Sequence, residues 1–227
     1  MNESNCSISR HREEVRTAVF RRPWHTVATV HPDDAEWDAW TPQEAAHRLA
    51  GVGVPWAVSA GWAIDLFLGR ERREHEDLEI GVPADRFDEI AAALDKLEFH
   101  VVTRGLAEPV ANAAELMKTV HQTWGLDRPA NVWRIDVFRE PHDGDHWLAR
   151  RDESIRLPYD ELIEHTADGI PYERPEVVLL FKAKHSRPKD ESDLAAVLPH
   201  LSAERRQLLA GWIEQVHPGH FWLPDIA

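Results

Sequence analysis

The sequence is poor in cysteine and contains no long apolar run, and each shortage excludes a class of protein. Cys6 is the only cysteine among 227 residues, so neither an intrachain disulfide framework nor a thiolate metal centre can form. No apolar stretch approaches the roughly 20 residues that span a bilayer. The charged first 25 residues also lack the apolar segment of a signal peptide. We therefore expect a cytoplasmic protein with no membrane partner.

Positive charge is scarce as well. The chain carries 40 acidic and 26 basic residues, which gives a formal net charge of −14. Proteins that bind nucleic acid through bulk charge need the opposite balance, so a nucleic-acid partner is not expected. The acidic balance is compatible with a cationic small substrate, although an acidic surface also serves solubility alone. A homo-oligomer is equally compatible with the sequence.

Most of the chain alternates between predicted strands and helices. Residues 1–25 are predicted to form a flexible tail, whereas Thr41, Pro42 and Glu44 form the capping-box pattern of a helix that ends at Gly51. Apolar spacing predicts further helices over 62–68 and 84–97. Predicted strands cover 54–58, 77–80, 99–103, 131–138, 147–149 and 154–157. Residues 104–130 show no clear period and are predicted to be irregular.

The last third of the chain has helical spacing, with predicted helices over 175–185, 190–198 and 202–216. These patterns together predict an α+β fold in which a mixed sheet flanked by helices is followed by a C-terminal helical domain. We place the catalytic domain at 26–172 and the helical domain at 173–227, with a boundary near 171–175.

One stretch, residues 58–82, offers both parts of a nucleotide site. A small-residue turn, Ser59-Ala60-Gly61, would begin a helix and leave free N–H groups for a phosphate. Beyond this helix, strand alternation places Asp77 and Glu79 on one face, with Cα atoms about 6.5–7 Å apart. Carboxylates at this spacing can hold one or two Mg²⁺ ions together with substrate phosphates.

Other residues could complete the site. Asp136 lies on a neighbouring predicted strand and could serve as a third metal ligand that also activates an attacking hydroxyl. Three lysines could reach a triphosphate, and Lys184 is slightly favoured over Lys182; the third is Lys189.

Each of these features also has a simpler interpretation. Asp77 and Glu79 could form the solvated face of an edge strand, and Asp136 could pair with Arg134. The turn could be an ordinary strand-to-helix connection, and any one lysine could serve only at the surface. His75 is better explained as a structural residue than as a metal ligand, because the histidines lack zinc-site spacing.

The stretch SAGWAIDLFLGRERREHEDLEI resembles the G-G-W-A-x-D…R-x-H-x-D-[LI]-[DE]-[IV] signature of small bacterial nucleotidyltransferases. These enzymes form the aminoglycoside and lincosamide branch of the DNA polymerase β-like superfamily. The resemblance continues through WRIDVF and several later segments, from about residue 40 onward. It implies that Asp77 and Glu79 bind metal and that Asp136 is the third carboxylate and candidate general base.

The resemblance further implies that Ser59 and Gly61 lie in the phosphate-binding turn and that Lys184 or a neighbour contacts the triphosphate. Two positions depart from the signature. Ala60 replaces the first glycine of the turn, where a Cβ would crowd the phosphate if the backbone needs a positive φ. Glu79 stands where many members have aspartate, and its longer side chain can still bind Mg²⁺.

These observations predict a Mg²⁺-dependent nucleotidyltransferase that uses two metal ions and a nucleoside triphosphate. It would transfer AMP from ATP to a hydroxyl of a small molecule, with an aminoglycoside- or lincosamide-type antibiotic as the leading acceptor. One alternative is a toxin–antitoxin enzyme that modifies protein or tRNA. Another is a protein that binds nucleotide without turnover, and Ala60 in the phosphate turn would explain the lost activity.

Overall fold

A large mixed sheet organises the fold. The computed structural model describes residues 31–103 and 105–226, so the predicted tail at 1–25 lies outside the described residues. The strands, in chain order, are β1 Glu36–Trp37, β2 Ala57–Val58, β3 Glu79–Pro83, β4 Glu98–Thr103, β5 Leu106–Pro109, β6 Gln122–Asp127, β7 Val132–Glu140, β8 His142–Asp143, β9 His146–Ala149, β10 Asp152–Pro158, β11 Ile163–His165 and β12 Pro171–Glu173.

Nine of these strands form the main sheet in the order β11-β12-β2-β3-β7-β6-β4-β5, and β1 pairs in parallel with β7. The pairs β3–β7 and β12–β2 are parallel, whereas β2–β3 and β6–β7 are antiparallel. Strand β7 is the longest, and its side chains Trp133, Ile135 and Val137 are fully buried, as the alternation predicted. Strands β8, β9 and β10 form a separate three-stranded sheet.

Helices cover the sheet and make up most of the C-terminal third. They are α1 Pro42–Arg48, α2 Ala60–Leu68, α3 Phe87–Ala93, α4 Tyr159–Leu162, α5 Pro175–Lys182, α6 Pro188–Val197, α7 Ala203–Val216 and α8 Leu223–Ile226. The predicted capping box is confirmed: Glu44 N donates to Thr41 Oγ1 at 3.2 Å, and Thr41 N donates to the Glu44 carboxylate at 2.9 Å. The predicted α+β fold class is also confirmed.

The prediction that residues 104–130 are irregular was wrong. Strands β5 and β6 lie within this range, and β6 pairs with both β4 and β7. Gly125 interrupts the hydrophobic pattern of β6, but an added Cβ there would come within 3.0 Å of Ile135 Cγ2. The close packing of neighbouring side chains, rather than a period in the sequence, therefore explains this glycine.

Several element boundaries also differ from the predictions. Strand β2 begins only at Ala57, because Pro55 has no N–H to give to a ladder. Strand β3 begins at Glu79, so Asp77 lies just before it. The predicted helix over 84–97 is a 3-10 turn at Ala84–Arg86 followed by α3, which ends at Ala93.

The main core continues across the predicted domain boundary. Buried side chains from β3, such as Ile80, belong to the same cluster as Val178 of α5 and Ile213 of α7. The division at residue 172 stays a prediction. None of the described helices has the length and apolar character needed to cross a membrane.

Candidate active site

The parallel register of β3 and β7 brings three carboxylates to one face of the sheet. Glu79 lies opposite Asp136, and Glu140 lies at the far end of the same register. Leu78 and Ile80 have no exposed surface and face the core, as the alternation predicted. Because β3 lies between β2 and β7, the interpretation of Glu79 as part of an edge strand is wrong.

Burial raises the pKa of all three carboxylates predicted to bind metal, and neighbouring negative charges add to the shift. Burial raises the pKa of Asp77, and Lys189 opposes this shift. Burial, followed by the charge of Asp77, raises the pKa of Glu79 to about 7. The pKa of Asp136 is raised well above its usual range by burial and then by Glu79. A cation bound among these groups would relieve the repulsion.

One oxygen of Asp136 is held and the other is not. Gln122 Nε2 donates to Oδ2 at 2.6 Å. Within the described part of the chain, the buried Oδ1 makes no hydrogen bond of good geometry, although the side chain of Trp124 is close enough to lower the pKa of this carboxyl. The alternative pairing of Asp136 with Arg134 was wrong, because Arg134 instead donates to Asp38 and Asp127.

The carboxylates fit a magnesium site of the kind that the substrate helps to complete. Across residues 31–103 and 105–226, no group of three or more His, Cys, Asp or Glu side chains is arranged to hold a metal by itself. Mg²⁺ is usually held by one or two carboxylates together with substrate phosphates and water. Asp77 and Glu79 can supply those carboxylates, and the Oδ1 of Asp136, which makes no hydrogen bond of good geometry within the described residues, is a further hard oxygen.

A cleft of about 720 Å³ opens beside this group, and Asp77 and Glu79 line it, whereas the buried Asp136 does not. This volume lies within the range of small-molecule sites, roughly 300–1,000 Å³. Three cations from the end of α5 and the start of α6 also line this cleft, and they are Lys182, Arg187 and Lys189.

The structure does not bring Lys184 into this cleft. Helix α5 ends at Lys182, and a 3-10 turn at Ala183–His185 changes the side-chain directions, which leaves Lys184 exposed. Lys182 lines the cleft but is held by Asp190 and Asp193 at 2.9 and 3.0 Å. Lys189 is exposed, and its charge lowers the pKa of both Asp77 and Glu79.

The predicted phosphate turn begins α2 and has a strained backbone. Ser59 is the N-cap residue, and Ala60 follows it with φ at +50°. Residues other than glycine disfavour this left-handed region, because their Cβ atom is crowded there. Gly61 is required for a different reason, because an added Cβ would lie 2.9 Å from His75 Cε1 and would also collide with Arg73.

Replacing Ala60 with glycine is expected to stabilise the protein. The left-handed conformation costs alanine about 1–2 kcal/mol, and the greater backbone entropy of unfolded glycine offsets about 0.5–1 kcal/mol of this gain. Ala60→Gly should therefore raise the free energy of unfolding by roughly 0.5–1 kcal/mol, measured by urea titration. Ala63→Gly, in the interior of the same helix, should lower it. Destabilisation by Ala60→Gly would show that the turn is not strained.

A buried ionic network lies next to the cleft, and His75 belongs to both. Arg72 donates to Asp65 Oδ1 at 2.8 Å and also to Asp193. His75 bonds to Asp65 at 2.8 Å and stacks on Trp62 with ring centroids 4.2 Å apart. Burial lowers the pKa of His75. His75 thus has a structural role in this network.

Sequence reasoning missed two further carboxylates of the cleft, Glu140 and Glu173. Both have only 4% of their surface exposed. Arg150 Nε lies 3.2 Å from Glu140 Oε2, and Ser59 Oγ donates to Glu173 Oε2 at 2.7 Å. The two lie on strands that are distant in the chain, and strand alternation around Asp136 was the only available signal for Glu140.

The buried Glu173 carboxyl should make stability depend on pH. Burial, followed by the charge of Glu140, raises its pKa from 4.5 to about 8. A raised pKa in the folded state stabilises the protein at low pH, and that contribution is lost as the pH rises to about 8. One such group lowers the free energy of unfolding by at most about 1.4 kcal/mol per pH unit.

The measurement is urea unfolding of the metal-free protein at several pH values from 5 to 8. Glu173→Gln cannot ionise, so its free energy of unfolding should fall less steeply with pH than that of the wild type. Equal slopes for the two proteins would contradict the assignment.

Comparison with known families adds to this geometry. Residues 43–116 match the family model described as aminoglycoside-2''-adenylyltransferase. This range contains the turn at Ser59 and both Asp77 and Glu79. No curated protein sequence matches the chain.

Among solved structures, the chain is similar in fold to the antibiotic-resistance factor ANT(2'')-Ia in solution. Sequence identity is 15%, the TM-score is 0.50, and the match covers 76% of this chain and 89% of that chain. The lincomycin-bound lincosamide adenylyltransferase LnuA has 16% identity and a TM-score of 0.47, over 68% and 92% of the two chains. The crystal structure of ANT(2'')-Ia with adenylyl-2''-tobramycin has 17% identity and a TM-score of 0.48, over 77% and 94%.

The family match over residues 43–116 confirms the resemblance to the aminoglycoside nucleotidyltransferases. It also confirms the predicted enzyme class, a nucleotidyltransferase. At these identities, the likeness to the solution structure concerns the fold.

Proposed function

We propose that this chain, which matches the aminoglycoside-2''-adenylyltransferase family over residues 43–116, transfers AMP from ATP to a hydroxyl of a cationic aminoglycoside-type molecule. Pyrophosphate would be the second product. The observation that carries the proposal is the register of β3 and β7, which sets Glu79 beside Asp136 near the cleft. Asp77 precedes Glu79 by two residues and lines the same cleft. The raised pKa values of these carboxylates support a bound cation.

Asp77 and Glu79 would hold the magnesium, which neutralises charge on the triphosphate and aligns the reacting groups when bound. The Oδ1 of Asp136, which makes no hydrogen bond of good geometry within the described residues, would be either a third ligand or the acceptor of the hydroxyl proton. Backbone N–H groups at the start of α2 would bind phosphate oxygens. Lys189, rather than the predicted Lys184, would contact the triphosphate, since it lines the cleft and forms no ion pair with a carboxylate within residues 31–103 and 105–226.

Acidic residues on the cleft wall support an acceptor that bears ammonium groups. Glu74 and Glu76 are exposed at the cleft, and the buried Glu140 lies deeper. The net charge of −14 would also attract a cation from a distance. A reaction that consumes ATP would take place in the cytoplasm.

The test is pyrophosphate release from each nucleoside triphosphate with Mg²⁺, against a panel of aminoglycosides and lincosamides. We expect release that requires both ATP and an aminoglycoside. Lys189→Ala should raise the KM for ATP about tenfold, since a lost charged contact is worth roughly 1.5 kcal/mol. Lys184→Ala is the matched control and should leave the KM unchanged. Pyrophosphate release that does not increase with any acceptor in the panel would contradict the proposal.

Non-catalytic nucleotide binding is the second candidate, because the strained Ala60 lies where the phosphate would approach. It predicts that ATP raises Tm by binding linkage, while no acceptor produces pyrophosphate.

A further inference from the structure

Ser59 occupies the N-cap position of α2 but does not cap the helix. At two other helices of this chain, the side-chain oxygen of the N-cap residue accepts a backbone N–H, from Glu44 at Thr41 and from Arg205 at Ser202. Ser59 makes no such bond. Its hydroxyl instead donates to Glu173 Oε2 at 2.7 Å.

Sheet pairing sets Glu173 beside this turn. Strand β12 runs parallel to β2 with Tyr172 opposite Val58, so the next residue on each strand is Glu173 and Ser59. The Glu173 carboxylate lies over Gly81 of β3, where an added Cβ would be 2.5 Å from Oε1. The absence of a side chain at Gly81 therefore makes room for the carboxylate.

An N-cap oxygen and a bound phosphate compete for the same N–H groups at a helix N-terminus. We propose that Glu173 is a positioning residue for nucleotide binding: by engaging the Ser59 hydroxyl, it keeps that hydroxyl from capping α2. The first N–H groups of the helix then remain available to the triphosphate. This inference rests on the proposed function and adds to it a residue outside the turn and the metal-binding pair.

Removal of Glu173 should release the hydroxyl to cap α2 and weaken nucleotide binding. The experiment is calorimetric titration of the full chain with ATP and Mg²⁺ in the absence of acceptor. Glu173→Ala should raise the Kd by about tenfold. Glu173→Gln can still accept the hydroxyl proton, so its Kd should stay within about threefold of the wild-type value.

The double variant Ser59→Ala/Glu173→Ala separates positioning from a merely structural role. It lacks the competing hydroxyl, so its Kd should be several-fold lower than that of Glu173→Ala alone. Gly81→Ala offers a second route, since its Cβ would displace the Glu173 carboxyl group without removing it. Its binding defect should likewise be rescued by Ser59→Ala. Thermal unfolding of each variant checks that it is folded.

Glu164 supplies a matched control, because it lies on neighbouring β11 and accepts the Tyr172 hydroxyl at 3.1 Å outside the cleft. Glu164→Ala should leave the Kd for ATP unchanged. The inference is overturned if Glu173→Ala binds like the wild type, or if Ser59→Ala fails to rescue it. A wild-type protein that binds no ATP would overturn the proposed function as well, so the two failures are distinguishable.

Discussion

Asp77→Asn is expected to abolish nucleotidyl transfer without unfolding the protein. A metal ligand contributes several kcal/mol to the stabilisation of the transition state, so the rate should fall by about three orders of magnitude. Burial raises the pKa of Asp77, which means that the folded protein disfavours its charged form. A neutral amide should therefore leave the free energy of unfolding at or above the wild-type value. The measurements are pyrophosphate release and urea unfolding of the same preparation.

Asp88→Asn is the matched control for this prediction. Asp88 lies on the exposed side of α3, so its amide variant should transfer AMP at the wild-type rate. An Asp77→Asn protein with substantial activity would remove Asp77 from the site. A variant that unfolds would show instead that Asp77 has a structural role.

Asp193→Ala should produce the largest loss of stability among the variants considered. The Asp193 side chain is 1% exposed and pairs with Arg72 and Lys182, which are 14% and 8% exposed. Removing one member of a buried ionic group leaves its partners uncompensated, at a cost of about 3–5 kcal/mol. We expect about 3 kcal/mol by urea unfolding, because Asp65 and Asp190 still pair with the two cations.

Glu191→Ala, on the exposed face of the same helix, controls for the loss of a carboxylate from α6. It should change the free energy of unfolding by no more than about 0.5 kcal/mol. A loss of less than about 1 kcal/mol in Asp193→Ala would contradict the idea that this network supports the cleft.

Local patterns were sufficient to predict several elements. The capping box at Thr41 and the N-cap at Ser202 depend on residues within one turn, and both helices begin where predicted. The alternation of apolar and polar residues also identified Ile80 and Ile135 as core residues, because successive side chains of a strand point to opposite faces. Tertiary context altered the boundaries of β2, β3 and α3, where local signals were weaker.

The candidate site required more than local patterns. Glu140 and Glu173 were missed because strand pairing brings them to the cleft, and the contact between Ser59 and Glu173 joins residues 114 positions apart. The choice among lysines depended on where α5 ends, which a sequence period does not show within one residue.

By itself, the sequence determined the faces of the central strands, the resemblance of residues 59–80 to a nucleotidyltransferase signature and the departure at Ala60. These properties depend on residues that are close together in the sequence and on the spacing of apolar residues among them. Only the tertiary structure decided the left-handed φ of Ala60, the exclusion of Lys184 from the cleft and the pairing of Ser59 with Glu173. Their physical cause is the register and packing of distant segments, which no local pattern encodes.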